Sequence, residues 1–182
     1  MLMIGLAMLA LAQDAGAQPC SLTEADRINN RTLAFGAFDQ NGVTEATAQK
    51  LAARGCYREA AAATEDYLLY GPVQREREAS AIAWHLGQYL ALSGDEAAGA
   101  HVLATTQRPP EPTPDNLDWN SYVRGTHAFL TKDRQGLDTA ASQLGSREGR
   151  RNQINARMLR RLQTCFDRPY REAFSSEACA VE

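Results

Sequence analysis

The side chains of this 182-residue chain that could do chemistry are three histidines, four cysteines, scattered carboxylates and one dense run of arginines. His85, His101 and His127 stand in three separate stretches, and none belongs to a His-Glu-x-x-His arrangement that would put two imidazoles on one helix face. No Gly-x-Ser-x-Gly elbow offers an activated serine, and no glycine-rich loop is placed to cradle phosphate. Glu65, Asp66 and Asp118 are isolated acids, whereas glycoside hydrolysis needs two carboxylates flanking one bond. Asp39 and Asn41 resemble the opening of a calcium loop. Gly42 falls two positions too early and the later ligands are missing, so the segment reads as a turn. No catalytic residue, cofactor site or metal site follows from these patterns.

Cysteine spacing points instead to disulfides. Cys20, Cys56, Cys165 and Cys179 are even in number and contain no Cys-x-x-Cys pair. Three connectivities are formally possible. Proximity favours Cys165 with Cys179, because Pro169 can stop the helix carrying Cys165 and let the chain fold back. Cys20 would then join Cys56. Such a framework belongs to an oxidising compartment. The N-terminus agrees: an uncharged apolar run over residues 1–12 is followed by the small-residue triplets Ala10-Leu11-Ala12 and Ala15-Gly16-Ala17. That is the form of a secretory signal, too short to span a bilayer. Residues 1–17 are therefore read as a signal peptide and 18–182 as a single helical-repeat domain, exported to the periplasm, with no stable membrane insertion after cleavage. The charge, 19 basic against 22 acidic groups, gives no general attraction to nucleic acid.

The elements that must position these groups are helices. Leu51 and its alanines mark a helix over residues 44–54 that ends at Gly55. Tyr57, Ala60, Ala61, Thr64, Tyr67 and Leu68 then fall on one face of a second helix. Ile82, Leu86 and Tyr89 mark a long helix over about residues 73–93, with Pro72 in its first turn, and Gly94-Asp95 ends it and caps the next. Ser21-Leu22-Thr23-Glu24 has the form of a capping box led by Ser21. After the stiff connector Arg108-Pro109-Pro110-Glu111-Pro112, the group Thr113-Pro114-Asp115 restarts a helix. Trp119, Val123, Thr126 and Leu130 form its stripe. A turn at Lys132-Asp133-Arg134 leads to Leu137, Ala140, Ala141 and Leu144, and a final helix over about 149–166 buries Ile154, Met158, Leu162, Cys165 and Phe166. Gly55 and Gly94 are 39 positions apart, and Asp95 and Asp133 are 38 apart. A repeat of this length marks stacked helical units.

Over residues 43–145 these units resemble tetratricopeptide-like repeats: small residues fill the contact, and a Gly-x-Tyr or Gly-Asp turn opens the second helix. The spacing is wider than that family's, and Lys132 replaces glycine in the third unit. The closing Cys165-Phe166…Pro169-Tyr170…Ala173-Phe174…Cys179 segment is similar to tails of small exported bacterial proteins of unknown function. The expected fold is all-α: antiparallel helical hairpins stacked as a short tetratricopeptide-like solenoid with a C-terminal capping helix.

That resemblance implies a binding surface on the first helices of the hairpins, where His85, Asn120 and Arg124 are the candidate partner contacts. Arg150, Arg157 and Arg161 lie within about 20° of one helical direction and form an auxiliary dock for an acidic surface. The expected function is a non-catalytic protein-binding or adaptor module in the cell envelope. The alternatives are a periplasmic inhibitor or immunity protein against a secreted toxin, and an envelope hydrolase. N-terminal sequencing of material from the periplasmic fraction should find a mature start near Gln18 or Gln13; an intact Met1 on cytosolic protein would remove the export reading.

Overall fold

Three positions close a helix in the left-handed conformation and start another two residues later. They are Gly55 at φ 79°, Gly94 at φ 104° and Lys132 at φ 58°. Each turn makes the same pair of backbone hydrogen bonds. The N–H of Gly55, Gly94 and Lys132 donates to the carbonyl three residues back, on Ala52, Ala91 and Phe129. The following N–H, on Cys56, Asp95 and Asp133, reaches five residues back to Leu51, Leu90 and Ala128, at 2.9, 3.0 and 2.8 Å. This is the Schellman arrangement, which satisfies carbonyls that a helix C-terminus leaves open. Asp95 and Asp133 then cap the next helix by accepting from Ala98 and Gly136.

The computed structural model describes residues 20–109 and 117–181. Its helices are α1 Glu24–Asn30, α2 Ala48–Ala53, α3 Tyr57–Tyr70, α4 Glu76–Ser93, α5 Glu96–Ala104, α6 Trp119–Leu130, α7 Arg134–Gly145, α8 Arg150–Thr164 and α9 Tyr170–Ser175. A π-helical turn covers Gly36–Gln40 and a 3-10 turn Glu177–Cys179. There is no strand among the described residues. From α2 to α8 each helix packs on the next; α6 also meets α8, and α9 rests on α8 and α4. No helix among the described residues is long and apolar enough to cross a membrane.

Small residues set the closest approach. A Cβ on Gly99 of α5 would stand 2.7 Å from the carbonyl oxygen of Gly87 on α4, so these helices touch backbone to backbone. Large side chains fill the remaining space: Phe38 stacks on Tyr67 with ring centroids 3.9 Å apart, and Leu51, Ile82, Leu103, Val123, Phe129, Leu137, Leu144, Leu159 and Leu162 are fully buried. Burial of one such aliphatic side chain contributes about 1.5–3 kcal/mol.

Both ends are tied in. The disulfides are Cys20–Cys56 and Cys165–Cys179, as expected, with Cα atoms 5.3 and 5.6 Å apart. Closing the shorter loop is worth about 3 kcal/mol in the chain-entropy model. The tail is held in other ways too. Tyr170 is fully buried, its hydroxyl accepting from Gln88 Nε2 of α4 at 3.3 Å and its N–H donating to Glu96 of α5. Burial pushes the Tyr170 hydroxyl pKa well up from its ordinary value. Lys132 Nζ donates to the carbonyls of Phe166 and Arg168 at 3.1 and 3.3 Å and lies 4.3 Å from the Phe129 ring centroid. That reach explains why a lysine, which resists positive φ, occupies the third turn.

Several local expectations change. Thr23, not Ser21, caps α1, with Asp26 returning the bond. Residues 38–42 are not a simple turn: Phe38 and Asp39 are buried in the π-helical turn. α2 is shorter than residues 44–54, and Pro72 lies in the connector before α4, whose first helical residue is Glu76. Ile154 is 49% exposed, because α8 is rolled to bury Asn152, Ala156 and Leu159. Asn152 is drawn in by accepting from the Asp118 N–H at 2.9 Å and donating to the Glu148 carbonyl. The expected restart at Thr113-Pro114-Asp115 and the signal segment lie outside the described residues; α6 begins at Trp119, capped by Asp118.

Gly99→Ala is expected to destabilise by about 1–3 kcal/mol, since the added methyl meets backbone that cannot step aside. Gly94→Val should cost about 1 kcal/mol or more, from left-handed strain alone, as nothing lies within 4 Å of its Cβ position. Urea unfolding monitored at 222 nm checks both; unchanged midpoints would contradict the packing and the turn geometry described.

Candidate functional site

Thr106 and Arg108, at the end of the segment leaving α5, are clasped by the start of α6. Trp119 Nε1 donates to the Thr106 carbonyl at 2.8 Å, and the Asn120 side chain bonds both the N–H and the carbonyl of Arg108, at 2.9 and 2.7 Å. The Arg108 guanidinium lies 4.0 Å from the Trp119 ring centroid and donates to Ser80 Oγ and to the Arg77 carbonyl on α4. These bonds build one wall of an open cleft of about 840 Å³, completed by Arg77, Arg124, Gln143, Arg147 and Glu148. A second cleft of about 550 Å³ lies between α5, α6 and α7, lined by His127, Gln135 and Gln143 over a floor including Val123 and Ala140. Arg124, exposed, stands on both.

The expected site residues are thus brought together only in part. Asn120 and Arg124 share the larger cleft, but the Asn120 amide is spent on the Arg108 backbone and shapes the wall. Arg124 Nη2 donates to neutral oxygens, Ser121 Oγ at 2.9 Å and Gln143 Oε1 at 3.2 Å. His85 lines neither cleft. Its Nδ1 is 2.7 Å from Oδ1 of Asp39, whose side chain is 2% exposed. The pair ties α4 to the π-helical turn, with the imidazole stacked on Tyr89 and edge-on to Trp84. Burial, with the Asp39 charge adding, pushes the Tyr89 hydroxyl pKa upward. The Trp84 indole N–H has no hydrogen-bond partner among the described residues, and ring contacts with Trp119 and Tyr122 hold it.

The arginine row on α8 divides. Arg150 and Arg157 are exposed to solvent. Arg161 instead donates to the carbonyls of Ala173 and Ser176 and holds the tail across α8. Of the acids weighed for hydrolysis, Asp66 is clamped by Arg31 through Nε at 2.9 Å and Nη2 at 2.6 Å, and Asp118 caps α6. The one grouping of potential metal-binding atoms among the described residues, Cys20, Cys56 and Glu59, has both sulfurs committed to a disulfide.

Compared with protein-family models, with curated proteins and with solved structures, the chain matches none.

Sequence reasoning missed Asp39 as the partner of His85, and it missed Arg77, Arg108 and Arg147 as cleft residues. Arg108 carried a signal: an arginine before two prolines has a fixed backbone to be clasped. Asp39 meets His85, and Arg77 and Arg147 meet the cleft, only through packing of segments far apart in sequence.

Arg161→Ala should lower the melting temperature by several degrees, because two tail carbonyls lose a charged donor worth about 1.5–3 kcal/mol. Arg157→Ala should leave it within about a degree, as expected for an exposed surface position. Thermal unfolding by circular dichroism separates the two; equal shifts would mean that Arg161 does not hold the tail.

Proposed function

We propose that this chain is an exported, periplasmic helical-repeat protein that acts as a non-catalytic protein-binding or adaptor module. In this reading α2–α3, α4–α5 and α6–α7 are antiparallel hairpins of a short tetratricopeptide-like solenoid, and α8 is its capping helix. The triplicated Schellman turn supports the repeat, since one backbone geometry recurs at residues 55, 94 and 132. Two disulfides support a compartment where thiols are oxidised.

The observation that carries the binding reading is Arg124, exposed on the boundary of two open clefts and, among the described residues, anchored to neutral groups. A guanidinium held at its base with its charge unspent suits recognition of a partner group. In the larger cleft Trp119 and Asn120 are already fixed to the backbone, so their ordering adds little entropic cost to association.

A photo-crosslinking amino acid placed at Arg124 should yield a defined adduct in periplasmic extract, and one at His101, exposed on α5, should not. Adducts of equal yield at both positions would remove the cleft as the partner surface. Turnover of cell-wall fragments by purified protein, lost in Glu65→Gln, would replace binding with hydrolysis.

A further inference from the structure

The described lining of the larger cleft is more basic than the chain as a whole. Among the described residues four arginines line it, Arg77, Arg108, Arg124 and Arg147, against two carboxylates, Asp118 and Glu148, in a chain of net charge −3. Asp118 and Glu148 offset part of this charge. Asp118 accepts from the Ser121 N–H at 3.0 Å and from Ser121 Oγ at 2.8 Å, and Arg147 reaches it only at 3.5 Å with 63% of the arginine side chain exposed. The Arg77 side chain makes no hydrogen bond or ion pair among the described residues, and Arg124 has only neutral partners. Arg77, Arg124 and Arg147 gather like charge at one concavity, so an arriving anion is favoured by each of these three.

We propose that this cleft binds an acidic peptide segment of the partner, with Arg77, Arg124 and Arg147 pairing its carboxylates. The proposal rests on the protein-binding reading and specifies the chemistry of the partner. A guanidinium presents a planar fork of donors that matches a carboxylate bidentately. The remaining lining discriminates among anions. Glu148 and the Gln143 carbonyl can accept from peptide N–H groups, which a peptide offers between its side chains. A polyphosphate has no such donors, and Asp118 and Glu148 would repel its closely spaced charges.

Fluorescein-labelled hexaglutamate, hexaglutamine and a short oligothymidylate, titrated into the disulfide-bonded chain at low salt, test this by anisotropy. Hexaglutamate should bind and hexaglutamine should not, with affinity falling as salt screens the contacts. R77E/R147E should weaken hexaglutamate binding by about tenfold or more, whereas R150E/R157E, an equal charge change on exposed α8 positions, should alter it by less than about twofold. R77E alone guards against misfolding, because that side chain supports no other group among the described residues, and it should retain the wild-type melting temperature and still weaken binding. Equal weakening by both double variants would mean general surface charge and overturn the proposal. So would thymidylate binding more tightly with the same dependence on Arg77 and Arg147, which would make the cleft a polyphosphate site. Crosslinking from position 124 separates the two levels: an adduct that persists in R77E/R147E leaves a binding module whose partner is not held by this charge. Loss of every adduct from the wild-type chain, with hexaglutamate still bound, would leave the anion site and remove the envelope partner.

Discussion

The left-handed turn that closes α2, α4 and α6 is the constraint on which the rest of the structure depends. Each helix ends and the next begins after two or three residues, so the two must bury apolar surface against each other. α2 and α5, of 6 and 9 residues, would not be stable alone. The turn supplies what they lack, by satisfying the carbonyls of one helix and positioning the cap of the next. Backbone contact between Gly87 and Gly99 then follows, because a tight turn leaves two helices no room for larger residues between them.

The third turn shows how local strain is tied to distant structure. Lys132 holds a conformation that costs a side chain of its kind on the order of 1 kcal/mol. The same geometry aims its ammonium at two carbonyls of the tail, beside the Phe129 ring. Arg161 holds the tail from α8, Tyr170 anchors it to α4, and the Cys165–Cys179 disulfide closes it. A chain whose helices mostly touch only sequence neighbours thereby gains a contact between distant elements. That contact makes unfolding of α9 costly to α4 and α6 together.

The positive cleft arises on the opposite logic. Its wall exists because Asn120 and Trp119 spend their polar atoms on backbone, freezing Arg108 in place. Arg77, Arg124 and Arg147 are left with exposed charge, while His85 is withdrawn into a bond with buried Asp39. Recognition, in the reading proposed, falls to the guanidinium groups, and the imidazole joins the π-helical turn to α4.

The all-helical class, both disulfide pairings, the turns at Gly55, Gly94 and Asp133 and most of the buried stripe were legible in the sequence. Each depends on interactions within a few residues: helical periodicity, glycine's freedom at positive φ, an aspartate one position beyond it, and a proline between two nearby cysteines. Ile154 was misread because α8 could be rolled either way by periodicity alone, and Asn152 decided the roll through Asp118, 34 residues earlier. The same distinction divides the site. Residue types marked Arg124 and Asn120, but only tertiary packing set Arg77 and Arg147 on one cleft, paired His85 with Asp39 and turned Arg161 inward to the tail. Local rules determine which helices form and where they turn, and the direction in which a charged side chain is spent depends on partners that the chain brings near only after it has folded.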